Sequence, residues 1–350
     1  MTDVSVGLVG LGYWGSKLAR NIDEAGRCRL AAICDADPAR LLESSARHRD
    51  AIPFESLEAL LARDEIEAVV LATPASHHAR HARAAIDAGK HVMVEKPLAL
   101  SVRDCDDLVG RAEATGVTLM VGHTFVYSDP VRYLRELILA GELGRVLYAY
   151  AQRLNLVVIR EDLNALWNFG PHDVSILLFL LGCRPVRVQA QQYSLLDHKL
   201  EDVAFFVLDF PDNIIAHVHE SWLDPRKIRQ LTIVGDRKMA VYDDTDVETP
   251  LRIYDKGVAD TPLGSPIERY GFGEFKLETR TGDMVAPRVP SREPLRVEME
   301  HFADCVSSGQ TPETDARHGR DVVAILEAAE RSARTSQPVE LAWAAEPVRG

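Results

Sequence analysis

The sequence is poor in cysteine, in clustered basic residues and in long apolar runs. The five cysteines show no CxxC spacing; they are Cys28, Cys34, Cys105, Cys183 and Cys305. This scatter argues against a disulfide framework and predicts the reduced thiols of a cytoplasmic protein. The net charge is −13 at pH 7, and a chain without a Lys- and Arg-rich patch is not expected to bind nucleic acid. No segment approaches the roughly 18 apolar residues of a membrane span. No basic stretch precedes the first apolar run, so we expect no signal peptide.

What the sequence does contain is the pattern of a two-domain α/β protein. Its 350 residues exceed one ordinary domain, and 46% hydrophobic with 27% charged residues is typical of a globular chain. Up to about residue 122, short apolar segments alternate with amphipathic ones. This alternation predicts a Rossmann-type, doubly wound parallel sheet that is covered by helices on both faces. We expect strands at 4–9, 28–34, 67–72, 91–95 and 117–121, and helices at 13–25, 38–49, 56–63, 76–88 and 101–115.

The pattern changes after Ser128. Helices are predicted at 129–140 and 172–181, and strands at 145–154, 185–193, 202–210, 213–221, 228–234 and 238–242. This predicts an α+β domain with a large, mostly antiparallel sheet. A long loop is expected at 256–293, and two C-terminal helices within 294–334 return the chain to the body. We therefore predict a dinucleotide-binding domain at 1–124 and a substrate-binding and oligomerisation domain at 125–350.

The first apolar strand leads into a glycine turn. The motif is Gly10-x-Gly12-x-x-Gly15, and a helical pattern follows it. In such a turn the first glycine permits the tight bend, the second lets the backbone approach a pyrophosphate, and the third lets the helix pack close to the strand. The N–H groups and the positive dipole end of the helix then face the phosphates. We predict that Gly10, Gly12, Tyr13, Trp14 and Gly15 contact the dinucleotide.

An acidic residue ends the second predicted strand. Asp35 lies twenty residues after Gly15, where a carboxylate accepts hydrogen bonds from the ribose and repels a 2′-phosphate. The cofactor is therefore predicted to be NAD, with NADP disfavoured. Arg40 could weaken this preference by reaching a 2′-phosphate. Asp37 precedes Pro38 and is predicted to cap the next helix.

Two further segments follow strand ends of the same sheet. Thr73, Pro74 and His77 come after the strand at 67–72 and are predicted to border the nicotinamide end of the cofactor. The alternative is simple capping of the helix by Ser76.

Glu95-Lys96-Pro97 ends the strand at 91–95. Its lysine can donate a hydrogen bond to a substrate oxygen, and Glu95 and Lys96 are also predicted to border the cofactor. A solvated lysine at a strand end is the alternative.

A histidine in the second half of the chain is the candidate base. His172 follows Gly170-Pro171, at the start of the predicted helix 172–181. Histidine titrates near neutral pH and can accept the proton of a hydroxyl group. The alternative is a structural histidine that packs against Trp167.

Further polar and aromatic residues are weaker candidates. Tyr127, Arg153 and Asn155, with Asn168, could contact the substrate, although surface or structural roles are equally compatible with the sequence. His77 with His81, and His217 with His219, have pairwise metal-ligand spacing, but neither pair has a nearby third ligand in motif spacing. We therefore predict no metal site.

The ordered motifs resemble those of the Gfo/Idh/MocA family over essentially the whole chain. They are the glycine turn, Asp35, the TP-x-x-x-H segment from Thr73, Glu95-Lys96-Pro97, and the G-x-H segment at 170–172. The resemblance implies a Rossmann domain and a C-terminal α/β domain whose sheet commonly forms dimer and tetramer interfaces. It implies that Lys96 and His172 are catalytic. Many family members carry an aspartate four residues before the histidine, where this chain has Asn168, which cannot act as a base.

Several segments are similar to one branch of the family, which acts on nucleotide-linked sugars. They are Gly122–Ser128, Arg153–Asn155, Leu166–Asp173 and Ser221–Pro225. The resemblance implies oxidation at C3 of UDP-N-acetylglucosamine. A dehydrogenase of a free sugar, an inositol or an aminocyclitol is the alternative, and a non-catalytic NAD-binding regulator is a third possibility. A homodimer or homotetramer is expected.

Overall fold

The structure is a computed structural model that describes residues 3–156, 162–196, 199–258 and 279–343. The chain forms two compact units. The first contains residues 1–129, 170–176 and 291–331, and the second contains 130–169, 177–290 and 332–350. The first unit thus includes three segments, 125–129, 170–176 and 291–331, that were predicted to belong to the second domain.

The first unit is built on a parallel sheet of six strands. They are β1 (Val4–Val9), β2 (Cys28–Cys34), β3 (Ile52–Phe54), β4 (Ala68–Leu71), β5 (His91–Glu95) and β6 (Leu119–Gly122). Their order in the sheet is β3-β2-β1-β4-β5-β6, which is the Rossmann order. Successive strands are added toward one edge from β1 to β3 and toward the other edge from β4 to β6, so the strand order switches between β1 and β4. Ligands of such sheets bind at the carboxyl ends of the strands beside this switch point. The prediction of a Rossmann sheet is confirmed.

The helices are α1 (Tyr13–Glu24), α2 (Pro38–Arg47), α3 (Leu57–Leu61), α4 (Ala75–Asp87), α5 (Val102–Thr115), α6 (Asp129–Leu139), α7 (Ala165–Leu181), α8 (Pro294–Ser308) and α9 (Ala316–Thr335). Side chains cap the starts of α2 and α5, and the sequence predicts the first of these caps. Asp37 accepts a hydrogen bond from the N–H of Ala39 at 2.9 Å, and the Ser101 side chain caps α5. In the first unit α8 packs against α1, whose buried side chains include Leu18 and Ile22.

The second unit contains a sheet of nine strands. The remaining strands of the chain are β7 (Val146–Leu154), β8 (Arg187–Tyr193), β9 (Val203–Asp209), β10 (Ile215–Ser221), β11 (Ile228–Gly235), β12 (Met239–Asp243), β13 (Leu251–Tyr254), β14 (Gly257–Val258), β15 (Thr279–Arg280), β16 (Met284–Val285) and β17 (Val339–Glu340). The order is β16-β13-β12-β11-β7-β10-β9-β8-β17, and β14 pairs separately with β15. Strands β7 and β10 are parallel, whereas the other neighbours are antiparallel. The predicted mostly antiparallel sheet is confirmed.

Helix α7 differs from the sequence prediction. It begins at Ala165 instead of residue 172 and carries Pro171 in its interior. Asn164 caps it by accepting a hydrogen bond from the N–H of Trp167 at 3.0 Å. A helix tolerates an internal proline at the loss of one backbone hydrogen bond, so Gly170-Pro171 does not start a new element. His172 therefore lies inside a helix and not at its start.

Two other findings concern the predicted loop and the helices. Of the predicted loop at 256–293, residues 259–278 lie outside the described residues, and the described part contains β14, β15 and β16. Within the described ranges, no helix has both the length and the apolar composition needed to cross a bilayer.

Candidate functional site

The glycine turn after β1 has the geometry that a dinucleotide requires. Gly10 has φ +95°, and a Cβ there would lie 2.7 Å from the carbonyl carbon of Ala72. A Cβ on Gly15 would lie 2.0 Å from the carbonyl oxygen of Gly10. Both positions therefore require glycine. A Cβ on Gly12 would meet only the Arg40 guanidinium, at 3.8 Å, which leaves its backbone open to a close-fitting ligand.

The same turn begins α1 at Gly12, and no side chain in the described part of the chain caps that end. The first N–H groups of the helix are therefore available to an anion. These residues fit the pyrophosphate of a dinucleotide, because the turn combines an open backbone with a helix N-terminus.

The carboxylate of Asp35 joins the ends of β1 and β2. One of its oxygens accepts a hydrogen bond from the N–H of Leu11 at 2.7 Å, and the other accepts from the N–H of Asp37 at 2.9 Å. A carboxylate has further lone pairs for ribose hydroxyl groups. Arg40 lies in the next turn of chain: its Nε is 3.4 Å from the carboxylate of Asp37, two residues after Asp35. The adenosine end of the site thus contains both the Asp35 carboxylate, which favours NAD, and the Arg40 guanidinium, which would favour NADP.

Helix α4 places two histidines differently. The ring of His77 is exposed and stacks on His81, with centroids 5.4 Å apart. The ring of His78 is buried, with Nδ1 at 2.7 Å from the Pro97 carbonyl and Nε2 at 2.8 Å from the Thr73 carbonyl. The motif predicts His77 as the residue that borders the cofactor, whereas the structure shows that His78 connects the loops that follow β4 and β5. Helix α4 begins after Pro74, so the predicted capping by Ser76 is wrong.

A buried carboxyl ends β5. The side chain of Glu95 is 7% exposed, and its Oε1 accepts a hydrogen bond from the indole N–H of Trp14 at 2.5 Å. Burial raises the pKa of Glu95 to about 7, against the lowering effects of Trp14 and of the Lys96 charge. Gly122 on the neighbouring strand permits this packing, since a Cβ there would lie 3.1 Å from Oε1 of Glu95.

Lys96 is half-buried directly after β5. Its positive charge acts on the buried rings of His78 and His123, whose pKa values are lowered mainly by burial and further by this ammonium group. The lysine therefore lies among buried titratable groups rather than in bulk solvent. That placement is compatible with a chemical role, although buried ion pairs with purely structural roles show the same feature.

His172 belongs to the same unit as Lys96. Its ring packs edge-on against Phe125, with centroids 5.0 Å apart and planes at 87°. Phe125 follows β6, and β6 pairs directly with β5.

A buried cluster that no sequence motif predicts lies behind this loop. Glu298 on α8 is fully buried, and its Oε2 accepts a hydrogen bond from the Thr124 hydroxyl at 2.9 Å. Burial and the Glu95 charge raise its pKa well above the usual range. His123 is buried beside His318, with ring centroids 5.3 Å apart. A carboxyl among Leu295, Met299 and Phe302 on one helix face was the signal that could have revealed Glu298.

The four weaker candidates have different surroundings. Tyr127 is fully buried, and its hydroxyl is 2.8 Å from the Thr314 hydroxyl. These contacts are those of a residue that stabilises the fold. In the second unit, Arg153 lies on β7 opposite Glu220 and Arg229. The Asn155 N–H donates to the Ser221 carbonyl at 3.0 Å. Asn168 precedes His172 by one turn of α7. Contact of these residues with a substrate stays a prediction.

Comparison with known families covers most of the chain. Residues 4–123 match the oxidoreductase family with an NAD-binding Rossmann fold, GFO_IDH_MocA. Residues 131–241 match the GFO/IDH/MocA C-terminal domain. The chain belongs to the Gfo/Idh/MocA family. Its first domain is an NAD-binding Rossmann domain, and its cofactor is NAD, as the glycine turn and Asp35 predicted.

The relatives differ in what their names describe. The chain is 31% identical over 231 residues to 2,7-anhydro-N-acetylneuraminate hydratase of Mediterraneibacter gnavus, which covers 62% of this chain and 61% of that protein. It is 28% identical to UDP-N-acetylglucosamine 3-dehydrogenase of Acidithiobacillus ferrooxidans, over 93% of this chain and 95% of that protein. The solved structure of that dehydrogenase has a TM-score of 0.80 at 27% identity and covers 96% of this chain and 99% of that chain.

A second solved structure is GenD2 from gentamicin A biosynthesis in complex with NAD. It has a TM-score of 0.80 at 25% identity and covers 98% of this chain and 97% of that chain. The chain spans only 52% to 61% of the length of the first curated relatives that it matches. Its activity and substrate are therefore treated below as proposals.

Proposed function

We propose that this protein is an NAD-dependent oxidoreductase that interconverts a secondary alcohol and a ketone on a sugar ring. The proposed substrate is a nucleotide-linked sugar of the UDP-N-acetylhexosamine type, oxidised at C3. One observation carries the proposal. Lys96 lies half-buried at the carboxyl end of β5, in a sheet whose glycine turn fits a dinucleotide. The choice of substrate is supported by the similarity to a UDP-N-acetylglucosamine 3-dehydrogenase, which spans 93% of the chain.

The residues of this chain have separate tasks in the proposed reaction. The glycine turn and the N-terminus of α1 hold the pyrophosphate, and Asp35 accepts hydrogen bonds from the ribose. Bound at these residues, NAD would supply the acceptor for the hydride that leaves the reacting carbon. Lys96 donates a hydrogen bond from Nζ to the substrate oxygen and stabilises its negative charge as the proton leaves.

His172 accepts the hydroxyl proton. Its Nδ1 is buried, so Nε2 is the nitrogen that we assign to this step. Asn168 replaces the carboxylate of many family members, and an amide cannot take a proton in its place. We therefore assign the base to His172 alone, with Asn168 as a candidate for orienting the hydroxyl.

NADH absorbance tests the proposal directly. Purified protein is incubated with NAD and a panel of UDP-sugars, free sugars, inositols and aminoglycosides. Turnover with a UDP-N-acetylhexosamine would support the full proposal. Turnover only with sugars that lack a nucleotide would retain the reaction class and remove the nucleotide-sugar assignment.

The similarity to GenD2 over 98% of this chain favours a second candidate. In that case the substrate is an aminocyclitol or aminoglycoside. Addition of UDP separates the two candidates, because UDP should compete with a UDP-sugar and not with an aminoglycoside. A regulator without catalytic activity would bind NAD, oxidise none of these compounds and form a stable complex with a partner protein.

Assembly and location are also proposals. Large hydrophobic side chains on the second sheet are exposed, among them Tyr148 and Ile215. These residues are neighbours in the register of β7 and β10. Exposed apolar surface of this kind supports a homodimer or homotetramer, which light scattering after size-exclusion chromatography would measure. The cytoplasmic location remains a prediction from the cysteine pattern.

A further inference from the structure

One hydrogen bond connects the pyrophosphate-binding turn to the segment that carries Lys96. Trp14 lies in the first turn of α1, two residues after Gly12. Its indole N–H donates to Oε1 of Glu95 at 2.5 Å, and Glu95 directly precedes Lys96. The helix end that faces the dinucleotide is therefore bonded to the strand end that presents the lysine.

The groups around Glu95 come from several elements. Lys96 follows it in the chain, Trp14 faces it from α1, and Gly122 faces it from β6. Glu298 on α8 is close enough for its pKa to be raised by the Glu95 charge. Around Lys96 itself lie His78 on α4, His123 after β6 and, beside His123, His318 on α9.

Charge balance decides which carboxyl partners the lysine. Glu298 is fully buried, and burial together with Glu95 favours its protonated form. The pKa of His123 is lowered well below its usual range by burial, so that ring stays neutral. Glu95 is the carboxyl adjacent to the ammonium, and it has an N–H donor that stabilises its charged form. Of the two buried carboxyls, Glu95 is therefore the one whose negative charge interacts with the Lys96 ammonium.

We propose that Trp14 is a positioning residue for Lys96 that acts through the Glu95 carboxylate. The indole N–H holds the carboxylate beside the ammonium group, and the position of the first turn of α1 is thereby transmitted to the lysine. The inference rests on the role given to Lys96 in the proposed function. It adds that dinucleotide binding at the turn and the ionisation of Glu95, next to the lysine, are linked.

A fluorescence titration tests the link without a substrate. The emission of the wild type minus that of Trp14→Phe isolates Trp14, and it should change with pH near 7, the pKa of Glu95. Glu95→Gln keeps an oxygen for the indole N–H and cannot ionise, so the transition should disappear. Saturating NAD should shift the midpoint. A Trp14 emission that does not change with pH, a transition that persists in Glu95→Gln, or a midpoint unmoved by NAD would overturn the proposal.

Trp343 supplies the matched control. Its indole N–H donates to the Pro185 carbonyl at 2.6 Å in the second unit. Trp343→Phe makes the same chemical change away from the glycine turn, and it should leave the titration of Trp14 unaltered. A loss of the transition in this variant would show that the signal reports general loosening and would overturn the assignment to Glu95.

A double-mutant cycle tests the same link in turnover. Trp14→Phe should lower kcat by about tenfold, the loss expected for a hydrogen bond to a charged group. The pH profile should move to higher pH, because loss of the N–H donor raises the pKa of Glu95. Trp14→Phe in the Glu95→Gln background should add almost nothing. Additive losses with an unshifted profile would show that Trp14 is merely structural.

The two proposals fail in different ways. Absence of turnover across the sugar panel would count against the proposed function and leave the fluorescence titration to judge the link. A Lys96→Ala variant that retains turnover would remove the role of the lysine while the titration of Trp14 persisted.

Discussion

The two units place their polar residues in different ways. In the first unit every residue of β1 and β4 is buried, and the polar groups lie in the loops after the strands. In the second unit β7 alternates, with Ala149 and Ala151 buried and Tyr148 exposed. A parallel sheet covered on both faces can present chemistry only at its edge, whereas a half-covered sheet can present it along a face. The cofactor-binding residues of the first unit can therefore be found from short sequence motifs, whereas the second unit offers no such motifs.

Replacement of Lys96 gives the largest expected effect and tests the strand-end half of this comparison. Lys96→Ala should lower kcat by about 10³-fold, because the alkoxide loses its nearest positive charge, while NAD affinity remains nearly unchanged. Steady-state kinetics and NAD titration calorimetry measure the two quantities. Lys238→Ala, which removes a surface pair with Glu142, is the control. Near-normal turnover of Lys96→Ala would exclude the catalytic assignment.

His172 tests whether a helix interior can supply the base. His172→Ala should lower kcat by about 10²-fold, the range for loss of one acid–base group, with a folded protein by circular dichroism. The exposed His217 on β10 provides the control His217→Ala, which should behave as the wild type. Should turnover survive in His172→Ala, another group must take the proton.

Glycine substitutions separate turn geometry from ligand approach. Gly15→Ala places a methyl group against the Gly10 carbonyl and should cost about 1–3 kcal/mol of the free energy of unfolding. Gly12→Ala has room in the protein, so its stability should change little, whereas its affinity for NAD should fall about tenfold. Thermal unfolding and NAD titration measure both variants. The interpretation of Gly12 is wrong if its variant binds NAD normally.

Substitutions of Asp35 and Arg40 test the preference for NAD over NADP. Asp35→Asn keeps acceptor capacity for the N–H of Leu11 but removes the charge that repels a 2′-phosphate. The ratio of kcat/KM for NADP to that for NAD should therefore rise by about tenfold. Arg40→Ala in the same background should reverse part of this gain. An unchanged ratio in Asp35→Asn would mean that the carboxylate serves only the backbone of the turn.

The smallest expected effect is the pH dependence of stability. Burial raises the pKa of Glu95 from 4.5 to about 7, so the folded protein keeps a proton that the unfolded chain releases. This contribution to stability is fully present below pH 4.5 and is lost as the pH rises through 7. The Tm of Glu95→Gln should fall less steeply than that of the wild type over this pH window. Glu298, whose pKa is also raised by burial, should account for the pH dependence that remains. Equal slopes for both proteins would place the titration elsewhere.

The sequence allowed most of the first unit to be predicted, because its signals are local. A glycine turn and the acid that follows depend on spacing along the chain, and the caps Asp37 and Ser101 depend on one helix turn. The short strand β3 was missed, since its three residues include Pro53 and show no alternation. His78 was passed over for His77 because the two are adjacent, and only burial distinguishes them.

Other features depend on contacts between distant segments. Glu298 reaches Thr124 across 174 residues of chain, and no spacing rule indicates such a pair. The start of α7 was misplaced because Gly-Pro is a common turn signal, and the Asn164 cap outweighed it. Arg153 was chosen from the sequence, but its cross-strand neighbours Glu220 and Arg229 follow only from the register of the sheet.

The first unit is assembled from three separate stretches of chain, and this has a consequence for its synthesis. Helix α8 packs against α1, although about 270 residues separate them. A nascent chain that ends before residue 294 would expose the apolar side of the cofactor-binding half. Completion of that half must therefore wait until both C-terminal helices have left the ribosome, and a fragment cut after residue 129 is expected to aggregate rather than to bind the dinucleotide.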